Sequence, residues 1–299
     1  MPMKRDAKER VVDWLLVALM VLPFVLSMTL KVLLKPAGEG ISITGAQVYF
    51  TIPMPVMDLP ITESQVNSLM VVLSILGLCL YLTHGISVAP HSKRQIVAEW
   101  IVEKVQNLVN SNMGAYFSAF APFIAGIMFI SAFSSLSSLL GLFPPTSDMN
   151  IVAGWAILVF VLITHYKLKG GLLPYVKGFF EPVFIFAPFN IIGEVATPVS
   201  MSFRHYGNVL SGMVISTLVA YALQTLSHKL LGWLPGVLGQ FPFLQVGLPA
   251  ILSLYFDIFS GLMQAFIFAL LTTIYISTGF PQEEYERRKA KRKKALHTA

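Results

Sequence analysis

Pro198-Val-Ser-Met-Ser-Phe-Arg204-His-Tyr-Gly207-Asn208-Val-Leu-Ser-Gly212-Met213 sets an arginine inside a long apolar run. No other lysine or arginine falls between Lys177 and Lys229. An arginine side chain keeps its proton in a protein. At a bilayer centre that charge costs about 2.5–3.5 kcal/mol even on the lenient insertion scale. Arg204 stands about 16 residues, roughly 24 Å of helix, from the start of its segment near Pro188. Snorkelling to an interface over that distance is out of reach unless the helix lies flat. A charge so placed marks a functional site, with a carboxylate as its partner. The plain alternative is a salt bridge to an aspartate of the same chain.

The surroundings of this stretch set the class. Of 299 residues, 55% are hydrophobic and 12% charged, against about 25% charged in a soluble domain. The chain therefore reads as a polytopic membrane protein. Its single cysteine, Cys79, lies in an apolar segment and rules out a disulfide framework. The net charge of +6 does not point to nucleic acid, because the charges collect at segment ends and in the tail 287–294.

Apolar runs of spanning length appear near 11–34, 67–86, 118–142, 150–168, 188–228 and 243–280. The first follows Lys4, Arg5, Lys8 and Arg10, but it is too long for a signal core and no small-residue cleavage pattern follows. It reads as a retained anchor. With the N-terminus inside, all but four of the 21 lysines and arginines fall on the inner side. The outer loops 36–66 and 143–149 hold none, so the positive-inside rule places both termini in the cytoplasm.

Segment 92–112 differs in kind. Ser92 and Gln95 suit a capping box. Ile96, Val97, Trp100, Ile101, Val105, Leu108 and Val109 recur at helical spacing opposite Glu99, Glu103 and Gln106. That pattern fits an amphipathic helix on the inner surface, or a connector helix. The loop 36–66 is rich in glycine and proline and offers no chemistry of its own. In the outer turn Pro144-Pro145-Thr146-Ser147-Asp148-Met149-Asn150, Asn150 or Asp148 suits a helix cap, and Asp148 also suits an ion entrance.

The last two runs are about twice as long as the hydrocarbon core requires. Each has to tilt steeply or break, and Pro198 and Pro249 offer kinks. They predict an inclined hairpin joined outside through Gly232-Trp233-Leu234-Pro235-Gly236. The fold class is thus all-α: about six membrane segments, the last two a long, steeply tilted hairpin, plus the inner-surface helix. Three regions follow: anchor helix and outer loop (1–66), membrane domain (67–280) and basic tail (281–299).

Asn208 and Ser211 share the face of Arg204, whereas Met213 points the opposite way. Asp257 and Gln264, seven apart, predict a common face with Ser260 and Gly261 between them. Asp257 is either the salt-bridge partner of Arg204 or a wet carboxylate. Glu194 lies nearer the inner side and lines a passage or a hydrated groove. His84, His91, His165 and His228 sit near segment ends as interfacial residues, and His205 turns away from Arg204. Metal-ligand, phosphate-loop and nucleophile-elbow motifs are missing from the sequence, and no cofactor is implied.

Pro198-Val-Ser-x-x-x-Arg204-x-Tyr-Gly207-Asn208, with Gln264-Ala-Phe-Ile-Phe downstream, resembles subunit a of the F-type ATP synthase membrane sector. The resemblance covers 67–280 and includes Pro145-Thr-Ser-Asp-Met-Asn150. It implies a stator ion-channel subunit with two half-channels for protons or sodium ions. Its partners would be a ring of c subunits, peripheral-stalk b subunits and the lipid of the cell membrane. By position, Arg204 corresponds to the arginine facing the ring, Asn208 and Gln264 to its polar neighbours. Asp257 stands where relatives carry His or Glu in the outer half-channel, and Glu194 matches a carboxylate bordering the inner one. Two departures stand out. Met213 occupies a position often Glu or His, and the run 11–34 precedes the usual bacterial core. A secondary transporter binding an anion at Arg204 would predict an inverted repeat, and the sequence shows none. A structural scaffold leaves Arg204 unexplained.

Overall fold

The computed structural model describes residues 7–34, 45–55, 57–88, 92–181, 183–233, 242–245, 247–283 and 285–288. The expectations for Lys4, Arg5, Lys35, His91, the turn 234–236 and the tail 289–294 lie outside them. Six helical stretches among the described residues are long and apolar enough to cross a membrane, so the chain is a multi-pass membrane protein.

The first, α1 (Ala7–Leu33), lies along α2 (Glu63–Thr83). Asp13, Met20 and Ser27 repeat every seven residues and Lys31 follows four later, so all four lie near one seam. At its centre the helices nearly touch. A Cβ on Gly77 would sit 2.8 Å from the backbone nitrogen of Met20. Ser27 and Ser74 are buried, at 1% and 0% exposure. Charge fastens both ends of α1. Asp13 accepts from Arg94 at 2.7 Å and lies 3.4 Å from His84 Nδ1. Lys31 Nζ lies 3.2 Å from Glu63 and donates to the Gly141 carbonyl at 2.6 Å. Because backbone meets backbone at Gly77, Gly77→Val is expected to destabilise the protein by about 1–3 kcal/mol. The readout is the melting temperature in detergent, and an unchanged melt would argue against this contact.

Between α1 and α2 the chain makes one feature that an all-helical reading omits. Strands β1 (Val48–Ile52) and β2 (Leu59–Thr62) pair antiparallel. Threonine, isoleucine, valine and aromatic residues in short exposed runs suit that ribbon better than a helix.

Helix α3 (Lys93–Met113) opens as expected, with the Ser92 hydroxyl accepting from Gln95 N at 3.2 Å. Gln95 does not complete the capping box. Its amide instead donates to Ser87 O at 2.6 Å and to Glu99 at 2.7 Å. The apolar stripe divides: Val105, Val109 and Met113 enter the core, while Ile96, Val97 and Trp100 stay exposed. The first half suits a membrane surface, and the second docks against α4 (Ala121–Leu136) and the last helix. The core joins Phe117, Ile124, Val159, Ile163, Met201, Phe268 and Ile276 to these residues.

Asp148 caps α5 (Met149–Lys169), accepting from Asn150 N at 2.9 Å. A short helix α6 (Leu172–Phe179) then leads to α7 (Ala187–Leu231), 45 residues of unbroken helix. At 1.5 Å per residue α7 runs about 68 Å against a core of about 30 Å, so it must incline steeply. Pro198 does not break it, although its ring removes a backbone donor and frees the Glu194 carbonyl one turn back.

The final segment begins later than the run 243–280 suggests. Gly247, at φ +107, precedes α8 (Leu248–Ser253), so Pro249 starts a helix rather than kinking one. The irregularity lies one turn on. Leu254–Ser260 winds as a π-helix and passes into α9 (Gly261–Gly279).

Candidate functional site

Arg204 points out of the chain. It is exposed, and among the described residues it forms no ion pair. The alternative of a salt bridge to Asp257 is therefore not what the geometry offers. What fixes its direction is the opposite side of α7. His205 is 1% exposed, with Nε2 3.2 Å from the Ser131 hydroxyl and its ring edge-on to Trp155 and Phe268. Met201 and Ser202, both 3% exposed, complete the inward stripe. With these residues held inward at helical spacing, Arg204 has to face outward.

Asn208, one turn on, turns toward the final segment and donates through Nδ2 to Ser260 Oγ at 2.5 Å. Two close approaches hold the final segment, one against α7 and one against α4. A Cβ on Gly212 would meet the Phe256 side chain at 2.9 Å, and one on Gly261 would meet the Ser135 Cβ at 2.7 Å. Phe256 and Ser260 thus look toward α7 and Gly261 toward α4. Gln264, four after Ser260, continues the first stripe and is half-buried. Asp257, also half-buried, pairs in phase with Gly261 instead. The π turn adds a residue to the winding, so the common face predicted for Asp257 and Gln264 from α-helical spacing is offset. Ser260, not singled out beyond that spacing, is the residue that meets Asn208.

The tail end of the bundle, where α5, α6 and the start of α7 meet residues 278–281, holds a cleft of about 800 Å³. Lys167, Tyr175, Asn190, Glu194 and Thr278 line it. Glu194 binds Lys167 through both carboxylate oxygens, at 2.6 and 2.8 Å. Burial raises the Tyr175 hydroxyl above its ordinary pKa, and the Glu194 charge and hydrogen bond raise it further. Glu194 is therefore a paired carboxylate on a polar cleft. Its lysine partner stands 27 residues away and on another helix, a pairing that helical spacing does not reveal.

The opposite end carries a second polar group. Ser64 donates a very short hydrogen bond to Asp148, and the carboxylate of Glu63 accepts from Phe143 N at 3.2 Å besides meeting Lys31. Asn67 donates to Phe143 O at 2.8 Å. Burial, and next the charge of Glu63, push the Tyr49 hydroxyl up to about 12. The loop expected to offer no chemistry of its own thus delivers a buried Glu63 carboxylate to the partly exposed Lys31. Beside it lies a cleft of about 420 Å³ between the turn 143–150 and the Tyr206, Leu210 and Met213 stripe of α7. Among the described residues no group of three His, Cys, Asp or Glu side chains is arranged to hold a metal.

Membrane-length helices, an outward guanidinium at mid-length that forms no ion pair among the described residues, and a cleft toward each end mark a multi-pass membrane subunit with a fixed charge on its surface. The sequence model of the ATP synthase A chain matches residues 66–277. ATP synthase subunit a of Bacillus subtilis is 32% identical over 236 residues, 73% of this chain and 93% of that protein. The Bacillus pumilus subunit a is 31% identical with the same coverage. The sodium-ion-specific subunit a of Propionigenium modestum is 26% identical over 275 residues, 81% of this chain and 88% of that one. The chain belongs to the ATP synthase subunit a family and fills its stator ion-channel role in an F-type ATP synthase.

Proposed function

We propose that Arg204 is the fixed charge against which a rotating ring of c subunits exchanges its ions. The observation that carries this reading is the exposed guanidinium that pairs with no carboxylate among the described residues. A mobile acid supplied by another chain answers that charge. A ring carboxylate must be neutral, carrying its ion, while it faces lipid, because a bare charge there is too costly. Opposite Arg204 the ionised form is favoured by the opposite charge. The ion leaves on one side of Arg204 and is reloaded on the other. The same guanidinium repels a cation moving directly between the two sides. The membrane potential contributes about 2.3 kcal/mol per charge per 100 mV.

In this reading Asn208, held by Ser260, and Gln264 keep the surface beside Arg204 polar where the ring acid changes partners. Glu194, in the cleft with Lys167, borders the inner half-channel. Asp257 serves the outer half-channel, within about two turns of Gln264. The subunit lies in the cell membrane with both termini in the cytoplasm, against the c-ring and the peripheral-stalk b subunits. Residues 1–66 anchor it, 67–280 form the working domain and 281–299 a basic cytoplasmic tail. The transported cation is a proton or a sodium ion.

Asp257→Asn keeps shape and removes charge. It is expected to slow ion entry from the outside about fivefold, equivalent to about 1 kcal/mol of barrier. Vesicles containing the assembled complex, driven by an imposed gradient, supply the measurement, and an unaltered flux would remove Asp257 from the channel. For the reading as a whole the deciding experiment is Arg204→Ala in the same vesicles.

A further inference from the structure

We propose that the groove between α3, α4 and α9 binds one anionic phospholipid, its phosphate on Lys104 and an acyl chain along Met128 and Phe266. The groove encloses about 470 Å³. Val105, Leu108, Met128 and Phe266 form its walls, and Lys104, Asn107 and Ser111 its polar rim. What α3 joins sets its height in the bilayer. Arg94, at one end of α3, donates to the His84 carbonyl at the end of α2 at 3.3 Å and to Asp13 of α1. At the other end the Asn112 carbonyl accepts from Ser277 of α9 at 3.1 Å. With six alternating spans, the ends of the second and the sixth fall on the same side. So α3 lies along that membrane face, with Lys104 midway. Met128 stands seven residues, about 10 Å, past the start of α4. Phe266 stands thirteen residues, about 20 Å, before the end of α9. The groove thus has a charged foot at headgroup level and apolar sides within the hydrocarbon.

The surface of α3 sorts its charges in favour of an anion. Lys93, Val97, Trp100, Lys104 and Ser111 are spaced by three, four or seven residues and share one stripe. Glu99 and Glu103 stand about 140° and 100° round the helix from Lys104, and Glu99 already accepts from Gln95 at 2.7 Å. Lys104 is exposed and forms no ion pair among the described residues. Trp100, one turn before it, is 58% exposed. An indole in that place suits the headgroup region, its apolar body inward and its N–H toward water. A zwitterionic headgroup answers its phosphate with its own cation, so a lipid of net negative charge gains most from Lys104. A solvated cation gains nothing, because the lining holds no carboxylate. A helix of another chain fits poorly: at about 10 Å across, it would fill 470 Å³ in little more than one turn.

The probe is phosphatidylglycerol with a photoreactive diazirine midway along one acyl chain, in phosphatidylcholine vesicles holding the complete synthase. After illumination, labelled peptides are identified by mass spectrometry. Label is expected around Met128 and Phe266. Excess unlabelled phosphatidylglycerol should displace it, and excess phosphatidylcholine should not. Lys104→Gln should lower this labelling about fivefold, the contribution of one lysine at an anionic surface, and Lys104→Arg should keep it. Leu22 and Leu26, exposed on α1, report unselective contact with lipid and should label alike throughout. Equal displacement by the two lipids overturns the proposal, since it makes the groove ordinary lipid-facing surface. Wild-type labelling in Lys104→Gln overturns it too. So does label on Leu22 with none on Met128 and Phe266, the result expected if a helix of another subunit covers them. The competition uses the unaltered protein, so it decides even where a Lys104 variant does not assemble. Labelling needs no ion flow, and Arg204→Ala complexes should label as wild type whichever way the ring-exchange reading falls.

Discussion

Arg204→Ala is expected to abolish coupled ATP synthesis while the subunit still assembles. The two halves of that expectation have separate causes. Arg204 is exposed and bonded to no acid among the described residues, so its removal strands no buried partner there and is expected to leave the fold intact. The ring acid, however, loses the cation that lets it ionise inside the membrane. Losing one member of a desolvated charge pair costs about 3–5 kcal/mol, which is about 150-fold to 5,000-fold in rate. Gradient-driven synthesis per assembled complex is the readout. Retention of more than a tenth of the wild-type rate would contradict the role given to Arg204. Arg204→Lys should remain well below wild type, because a single ammonium lacks the planar fork that meets a carboxylate through two bonds.

The second large effect is expected at Glu194. Glu194→Leu takes the carboxylate from Lys167 and from the Tyr175 hydroxyl together. Two donors then face the cleft unanswered, and a charged hydrogen bond is worth about 1.5–3 kcal/mol. Ion release to the inner side should fall by about tenfold to 150-fold. Glu194→Gln should do less harm, since an amide oxygen still accepts from Lys167. Lys167→Met combined with Glu194→Leu should recover part of the loss if the stranded ammonium is what blocks the passage. Equal rates for Glu194→Leu and wild type would sever Glu194 from the ion's path.

What the sequence made legible follows from locality. The spans, the isolation of Arg204 and the caps at Ser92 and Asp148 depend on residues close in the chain. Hydropathy and one-turn hydrogen bonds express them directly. The contacts that were not legible join distant elements. Lys167 with Glu194, Lys31 with Glu63 and His205 with Ser131 are set by how helices lean together. The π turn at Leu254–Ser260 is the clearest case. A regular α-helix there would line Asp257 up with Gln264, and the sequence carries no proline or glycine inside the turn to forbid it. The crossing of Phe256 over Gly212 accompanies the extra residue, and that crossing exists only in three dimensions.

The pairings at the two ends of α1 have a consequence for the host bilayer. Asp13 and Lys31 are 18 residues apart, five whole turns of helix and about 27 Å of rise. Each is tied to a separate partner, Arg94 at one end and Glu63 at the other. The tied helix therefore has a fixed charge-to-charge height close to one hydrocarbon thickness. Where other single helices answer a thicker or thinner membrane by tilting alone, α1 cannot tilt without drawing α2 and α3 with it. Lipid chain length becomes a mechanical load on the stator.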